Sequence, residues 1–384
     1  MDFELQWLLL GLPVAFALGW LASRLDLRQW RREREDAPKA YFKGLNLLLN
    51  EQQDKAIDAF VEAVRQDPDT TDLHFALGAL FRRRGEYERA VRVHQHLLSR
   101  ADLAQGDRDR AQHALAQDFM QAGLFDRAEE AWRALIKTPF DSEARRALLT
   151  LQERSRDWRA AIETGRQLEA SGVGSYATRI AHYWCELALE SDARQQTAAA
   201  DEAVAQARHA APLAARPLVL EGERAEQRAE PGLALQSWAA LSSVQPAAFH
   251  LVARKFAACA LACGQTASAR GRLESLYGGE PTLDLLEALA LLDTSPEAGR
   301  RRLAVHLESH PSLSAARMLL HRRAALTDPA DAELAAVAST LADAAKPFQR
   351  YRCAACGFDT QHYFWQCPGC LAWDSYPPRR LEDQ

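Results

Sequence analysis

Four cysteines stand near the C-terminus in two C-x2-C pairs, Cys353/Cys356 and Cys367/Cys370, with ten residues between the pairs. Each pair can turn two thiolates onto one ion, and two such turns complete a tetrahedral site of four sulfurs. Gly357 follows the first turn and Gly369 sits inside the second, where tight backbone is needed. The chemistry on offer is metal binding at one ion per chain, with zinc expected over iron. Cys259 and Cys263 lie one helical turn apart and could hold a second ion. The preferred reading of these two and of Cys185 is small buried residues of helices. There is no H-E-x-x-H, G-x-x-x-x-G-K-[ST], G-x-S-x-G or G-x-G-x-x-G, and the eleven histidines have no metal or triad spacing. Catalysis is not expected.

The segment that must position the four thiolates is short. After Lys346-Pro347 the chain turns aromatic, with Tyr351, Phe358, Tyr363, Phe364, Trp365, Trp373 and Tyr376. Residues 347–384 are too few to bury a self-sufficient core, and a bound metal offsets that. Arg350, Arg352, Arg379 and Arg380 are balanced by Asp359, Asp374, Glu382 and Asp383, and four thiolates on a divalent ion add about −2. Nucleic-acid binding by this segment is therefore not expected. Its aromatic face suits docking on protein, its own preceding helices included. The spacing resembles a rubredoxin-type zinc ribbon. Rubredoxins have a longer stretch between the cysteine pairs, and here Leu371, not Gly, follows the second pair. Electron transfer is correspondingly disfavoured.

The body of the chain repeats. Gly44, Ala56, Phe60, Ala63 and Pro68 recur with the same gaps at Gly222, Ala234, Trp238, Leu241 and Pro246. Gly78 and Ala90 follow Gly44 and Ala56 after 34 residues. Further copies are marked by Gly123, Ala128 and Trp132, by Asp157, Trp158, Ala161 and Leu168, and by Gly264, Ala269 and Leu273. Small residues let antiparallel helices approach, the large residue is expected to fill the space between neighbouring units, and Pro ends the second helix. Trp132, Trp158 and Trp238 are expected as packing residues. The pattern resembles the tetratricopeptide repeat, and roughly eight or nine hairpins are expected. Such arrays offer an extended binding surface. In this register Phe75, Arg82 and Arg83 of one repeat and Arg110, His113 and Gln117 of the next form a candidate partner surface for acidic groups.

Residues 5–22, LQWLLLGLPVAFALGWLA, are uncharged, with one polar side chain, Gln6. Their helical length of ~27 Å and the flanking Trp7 and Trp20 predict a transmembrane anchor. Arg24, Arg28, Arg31, Arg32 and Arg34 follow the span and no basic residue precedes it. That charge order argues against a signal peptide and predicts a cytoplasmic C-terminal side. The expected plan is a transmembrane anchor at 1–22, a juxtamembrane linker at 23–36, a repeat array at 37–346 and a metal-binding domain at 347–384. The expected fold class is all-α: a tetratricopeptide-repeat solenoid with an N-terminal transmembrane helix and a small C-terminal rubredoxin-like zinc ribbon. The 384 residues carry a formal charge of −5, which excludes nucleic-acid binding by overall basicity.

The order of these parts, with YRCAACGF and HYFWQCPGCLAW in the tail, resembles the lipopolysaccharide assembly protein B family over essentially the whole chain. The resemblance implies a single-pass regulatory adaptor at the bacterial inner membrane, facing the cytoplasm. It implies three partners: the membrane protease FtsH, the deacetylase that commits material to lipid A, and an inner-membrane lipopolysaccharide sensor as antagonist. The rival readings are a static scaffold, with lipopolysaccharide itself as a ligand, and a redox protein. A homodimer is left open.

Overall fold

The computed structural model describes residues 52–384 except 67–69, 294 and 328–331, together with residues 16–18, 20, 43, 44, 46, 47 and 50. It falls into two compact units, Met1–Arg156 and Asp157–Gln384.

The helices of the first unit are α1 (Gln53–Gln66), α2 (Thr71–Arg83), α3 (Tyr87–Ser99), α4 (Gln105–Gln121), α5 (Phe125–Arg133) and α6 (Asp141–Ser155). Each packs on the next, with α2/α3 and α4/α5 as helical hairpins. The second unit continues with α7 (Trp158–Ala170), α8 (Ala177–Ala193), α9 (Thr197–Ala210), α10 (Ala215–Gln227) and α11 (Pro231–Val244). After a 3₁₀ segment, Pro246–Leu251, come α12 (Ala253–Ala262), α13 (Thr266–Gly279), α14 (Leu283–Leu292), α15 (Pro296–Ser309), α16 (Leu313–Thr327) and α17 (Ala332–Ala345). The pairs α8/α9, α10/α11, α12/α13, α14/α15 and α16/α17 are hairpins. Both units are thus all-α and tetratricopeptide-like, and the second ends in a ribbon with strands β1 (Tyr351–Arg352) and β2 (Asp359–Thr360).

The repeat spacing has a local cause in the turns. Five hairpin turns hold a residue at positive φ: Gly85 (78°), Gly123 (73°), Gln195 (59°), Ala229 (59°) and Gly264 (66°). In each, the amide after it reaches back to a carbonyl five residues earlier. The pairs Glu86–Phe81, Leu124–Phe119, Gln196–Ser191, Glu230–Ala225 and Gln265–Ala260 are all 2.9 Å apart. This is a left-handed helix stop that satisfies otherwise orphaned carbonyls. The next helix then starts at once, as where Asp157 accepts the Ala160 amide at 3.1 Å at the head of α7.

Packing between the two helices of a hairpin depends on the small positions. A Cβ on Gly44 would stand 2.9 Å from the Phe60 ring, and Gly78 and Gly222 lie directly beneath His94 and Trp238. The large residue therefore fills the space over the glycine of its own hairpin, rather than the space between units that the spacing predicts. An α-helix presents positions three and four apart on one face, and that face turns inward to the partner helix here. Trp238 is fully buried and donates from Nε1 to the Val219 carbonyl at 3.3 Å. Trp132 and Trp158 are also buried, as are Cys185 and Cys259.

The expectation of a single-pass inner-membrane protein facing the cytoplasm is corrected. Among the described residues, no helix is long and apolar enough to cross a membrane. The two helices of 17 residues, α4 and α8, reach ~26 Å, short of a hydrocarbon core of ~30 Å. Both carry several charged side chains. The stretch 5–22 that motivated the expectation lies outside the described residues, apart from 16–18 and 20, and the linker 23–36 lies wholly outside them.

Candidate metal centre

The ribbon holds its cysteines at two matching turns. β1 pairs antiparallel with β2, Tyr351 opposite Thr360 and Arg352 opposite Asp359. In the first turn the Cys353 amide donates to the Phe358 carbonyl at 3.0 Å and the Gly357 amide to the Cys353 carbonyl at 2.9 Å. The second turn repeats this, Cys367 to Ala372 at 2.9 Å and Leu371 to Cys367 at 2.8 Å. Gly357 has φ 76° and Leu371 has φ 61°. The second turn thus places a side chain in the left-handed region that glycine occupies in the first. Gly369 serves differently: a Cβ there would meet the Phe358 ring at 3.4 Å.

The four sulfurs all lie within 4.8 Å of one another. Cys353 and Cys370 are 3.8 Å apart, and Cys356 and Cys367 are 3.7 Å apart. Sulfurs at 2.3 Å from a central ion at tetrahedral angles stand about 3.8 Å apart, so the donor set fits one metal ion. The electrostatics also fit a cation. Burial disfavours the Cys353 thiolate, but the Ser375 hydroxyl at 3.2 Å and the amides of Cys356 and Ala355 outweigh it, and its pKa falls to about 6. Cys367 is likewise lowered: burial opposes its thiolate, while the Cys370 amide, the Tyr376 hydroxyl and the Gly369 amide favour it. At Cys356, which is exposed, the Phe358 amide favours the thiolate, yet partial desolvation and the adjoining sulfurs push the pKa up to about 12. Cys370 is raised as well, with the adjoining Cys367 and Cys353 sulfurs disfavouring its thiolate; a divalent ion among the four sulfurs relieves that repulsion and favours all four as thiolates.

The ribbon is fastened to the repeats of its own unit. Trp373 stacks on His182 of α8 with ring centroids 4.7 Å apart and meets Tyr183 and Trp158 edge-on. The Arg216 guanidinium of α10 lies 5.7 Å from the centre of the same indole, an attractive cation–ring contact. Asp374 Oδ2 lies 2.8 Å from His182 Nε2. Arg380 grips Asp284 of α14 with Nη2 at 2.9 Å. The chain end then caps two helices. Asp383 accepts the Leu283 amide at 2.9 Å, at the start of α14, and Glu382 accepts the Ser314 amide at 2.8 Å, at the start of α16. Carboxylates at these positive helix ends are favourable. The expectation that the aromatic tail docks on the chain's own repeats therefore holds. Trp373 was legible as an aromatic of the tail, but its seat on His182 and Arg216 had no local sequence signal.

In the first unit, α2 and α4 bring the candidate partner-surface residues together and tie most of them down. Phe75 is buried, with the Arg110 guanidinium 4.1 Å from the centre of its ring. Arg110 also pairs with Asp72 at 2.9 Å. Arg82 donates to the fully buried Asp118 at 2.8 Å, and Asp118 also holds His94. His113 stacks on Phe140 and pairs with Glu143 at 2.9 Å, with Gln117 alongside at 3.3 Å. Arg83 is exposed.

Residues 351–377 match the family described as a rubredoxin metal binding domain. The chain is 31% identical to lipopolysaccharide assembly protein B of Escherichia coli, covering 98% of each. It is 25% identical to the protein of the same name from Haemophilus influenzae, covering 97% of this chain and 98% of that one. A solved tetratricopeptide repeat protein from Parabacteroides merdae covers 67% of this chain and 98% of its own, with 15% identity and a TM-score of 0.34. On the two long alignments the chain belongs to the lipopolysaccharide assembly protein B family.

Proposed function

We propose that the chain is a non-enzymatic adaptor that regulates lipopolysaccharide synthesis. Its repeats hold the deacetylase that commits material to lipid A and present it to the protease FtsH, and a lipopolysaccharide sensor opposes the process. The observation that carries this reading is the full-length likeness to proteins named for lipopolysaccharide assembly. Stacked hairpins support it by offering extended faces for a protein partner. The face of α2 and α4 around Phe75, Arg82, Arg83, Arg110, His113 and Gln117 is the proposed contact for acidic groups of a partner. The ion is proposed to be zinc held by Cys353, Cys356, Cys367 and Cys370. Its part is to fold the ribbon so that Trp373 and Arg380 reach the repeats.

The test is the half-life of the deacetylase in cells. Deleting this chain lengthens it, wild type restores it, and a Cys353→Ser/Cys370→Ser variant does not. An unchanged half-life on deletion would sink the adaptor reading in favour of a static scaffold. Purified protein should be colourless with one zinc per chain, whereas a red iron form would revive the redox reading.

A further inference from the structure

The four sulfurs of the ribbon do not share one environment. Cys353 and Cys367 are 1% and 0% exposed, whereas Cys356 and Cys370 are exposed. Hydroxyl donors divide the same way. The Ser375 oxygen lies 3.2 Å from Cys353 Sγ, and the Tyr376 oxygen lies 3.6 Å from Cys367 Sγ. Each hydroxyl also has a carbonyl within reach, Ala372 for Ser375 at 3.1 Å and Phe358 for Tyr376 at 3.3 Å. Its proton turns to the sulfur once that sulfur is an ion-bound thiolate, because a charged acceptor outcompetes a neutral one. Among the described residues, the side chains that reach the sulfurs of Cys356 and Cys370 are those of the other cysteines. A thiolate that meets solvent and accepts fewer hydrogen bonds keeps more of its nucleophilicity.

We propose that Cys356 and Cys370 are oxidative modification sites, through which a hydroperoxide empties the metal site and releases the ribbon from the repeats. An exposed thiolate attacks the outer oxygen of the peroxide. The S–O bond forms, the O–O bond breaks, and the leaving oxygen takes a proton from solvent. A buried thiolate then attacks the sulfenic sulfur, since Cys353 lies 3.8 Å from Cys370 and Cys367 lies 3.7 Å from Cys356. The S–S bond forms, the S–O bond breaks, and hydroxide leaves to be protonated to water. Two thiolates lose two electrons and the peroxide gains them. A site reduced to two thiolates no longer offers the four ligands that hold its ion. The effect on docking is direct, because one run of four residues serves both ends. Ser375 and Tyr376 face the sulfurs, while Trp373 stacks on His182 and Asp374 meets it at 2.8 Å. The inference rests on the four-thiolate ion site, whose own failure would show separately as zinc-free untreated protein.

The zinc-loaded full chain is given a limiting pulse of N-ethylmaleimide, and the labelled cysteines are located by mass spectrometry. Within the ribbon, Cys356 and Cys370 should be labelled ahead of Cys353 and Cys367. Ser375→Ala should speed labelling of Cys353 about tenfold, the effect of one hydrogen bond to a charged group, and leave Cys367 in place. Ser375→Thr should restore the order. Tyr376→Phe does the same for Cys367 and serves if the alanine variant does not fold. Hydrogen peroxide should release the zinc to a chromogenic chelator, with a red shift of tryptophan fluorescence as Trp373 leaves His182. Dithiothreitol with added zinc should reverse both. Labelling led by Cys353 or Cys367, an order unmoved by Ser375→Ala and Tyr376→Phe, zinc that stays in place under peroxide, or zinc loss without the fluorescence shift would overturn the proposal.

Discussion

Leu371 has a cost that its neighbour across the ion avoids. Gly357 adopts φ 76° freely, while Leu371 at φ 61° carries a Cβ in the same kind of turn, a difference of about 1 kcal/mol. The residue is 37% exposed, so burial of its side chain compensates only in part. A segment this small folds with its ion, and relief of the strain should appear as tighter metal retention. Leu371→Gly is expected to hold zinc about fivefold more strongly, read by competition with a chromogenic chelator. Weaker retention would mean that the leucine packs usefully after all. Strain of this kind survives only where surrounding structure over-determines it, and the matching hydrogen bonds of the two cysteine turns provide that.

At the scale of the helix pair, stability depends on how each hairpin reverses. Gln195 and Ala229 occupy the left-handed position that Gly85, Gly123 and Gly264 fill elsewhere, and the hydrogen bond that closes each turn has the same length. Ala229→Gly is therefore expected to stabilise the second unit, and Gly85→Ala to destabilise the first, each by about 1 kcal/mol. Urea unfolding followed by circular dichroism measures both, and a shift of Ala229→Gly in the destabilising direction would refute the assignment. These turns also mark how far the fold can be read from sequence. Glycine announces a turn at 85, 123 and 264, whereas 195 and 229 carry residues that give no such signal, which is why the repeat near Asp201 reads as degenerate. The cysteine set was legible in full because four ligands on one ion require a short, fixed spacing. The seat of the ribbon was not, because His182, Arg216, Asp284 and Ser314 lie 68 to 192 residues from the groups they meet and have no shared period. The hydropathy of residues 5–22 spoke for a membrane span that no described helix provides.

Across the second unit, pH should act mainly through histidines that fold neutral. Burial lowers the pKa of His182, His250 and His306 below the ordinary value. In the unfolded chain they take protons near pH 6.5, so below that the unfolded state binds more protons and stability falls as pH falls. Asp383 acts in the opposite sense. Its burial beside Leu283 raises its pKa to about 6, so it takes up its proton in the folded state first and favours folding below that value. Between about pH 6 and 7 the histidines therefore act with little opposition, and below pH 6 Asp383 offsets one of the three. Each histidine contributes at most about 1.4 kcal/mol per pH unit. Stability of the zinc-saturated chain, followed by the fluorescence of Trp365 and Trp373, should drop from pH 7.5 to 5.5. His182→Gln keeps an amide to face Asp374 but cannot take a proton, so its profile should be flatter than that of the wild type by up to one histidine's share. If the two profiles ran parallel, or stability rose as pH fell from 7.5 to 6, the histidine would not be the group that couples ribbon docking to protons.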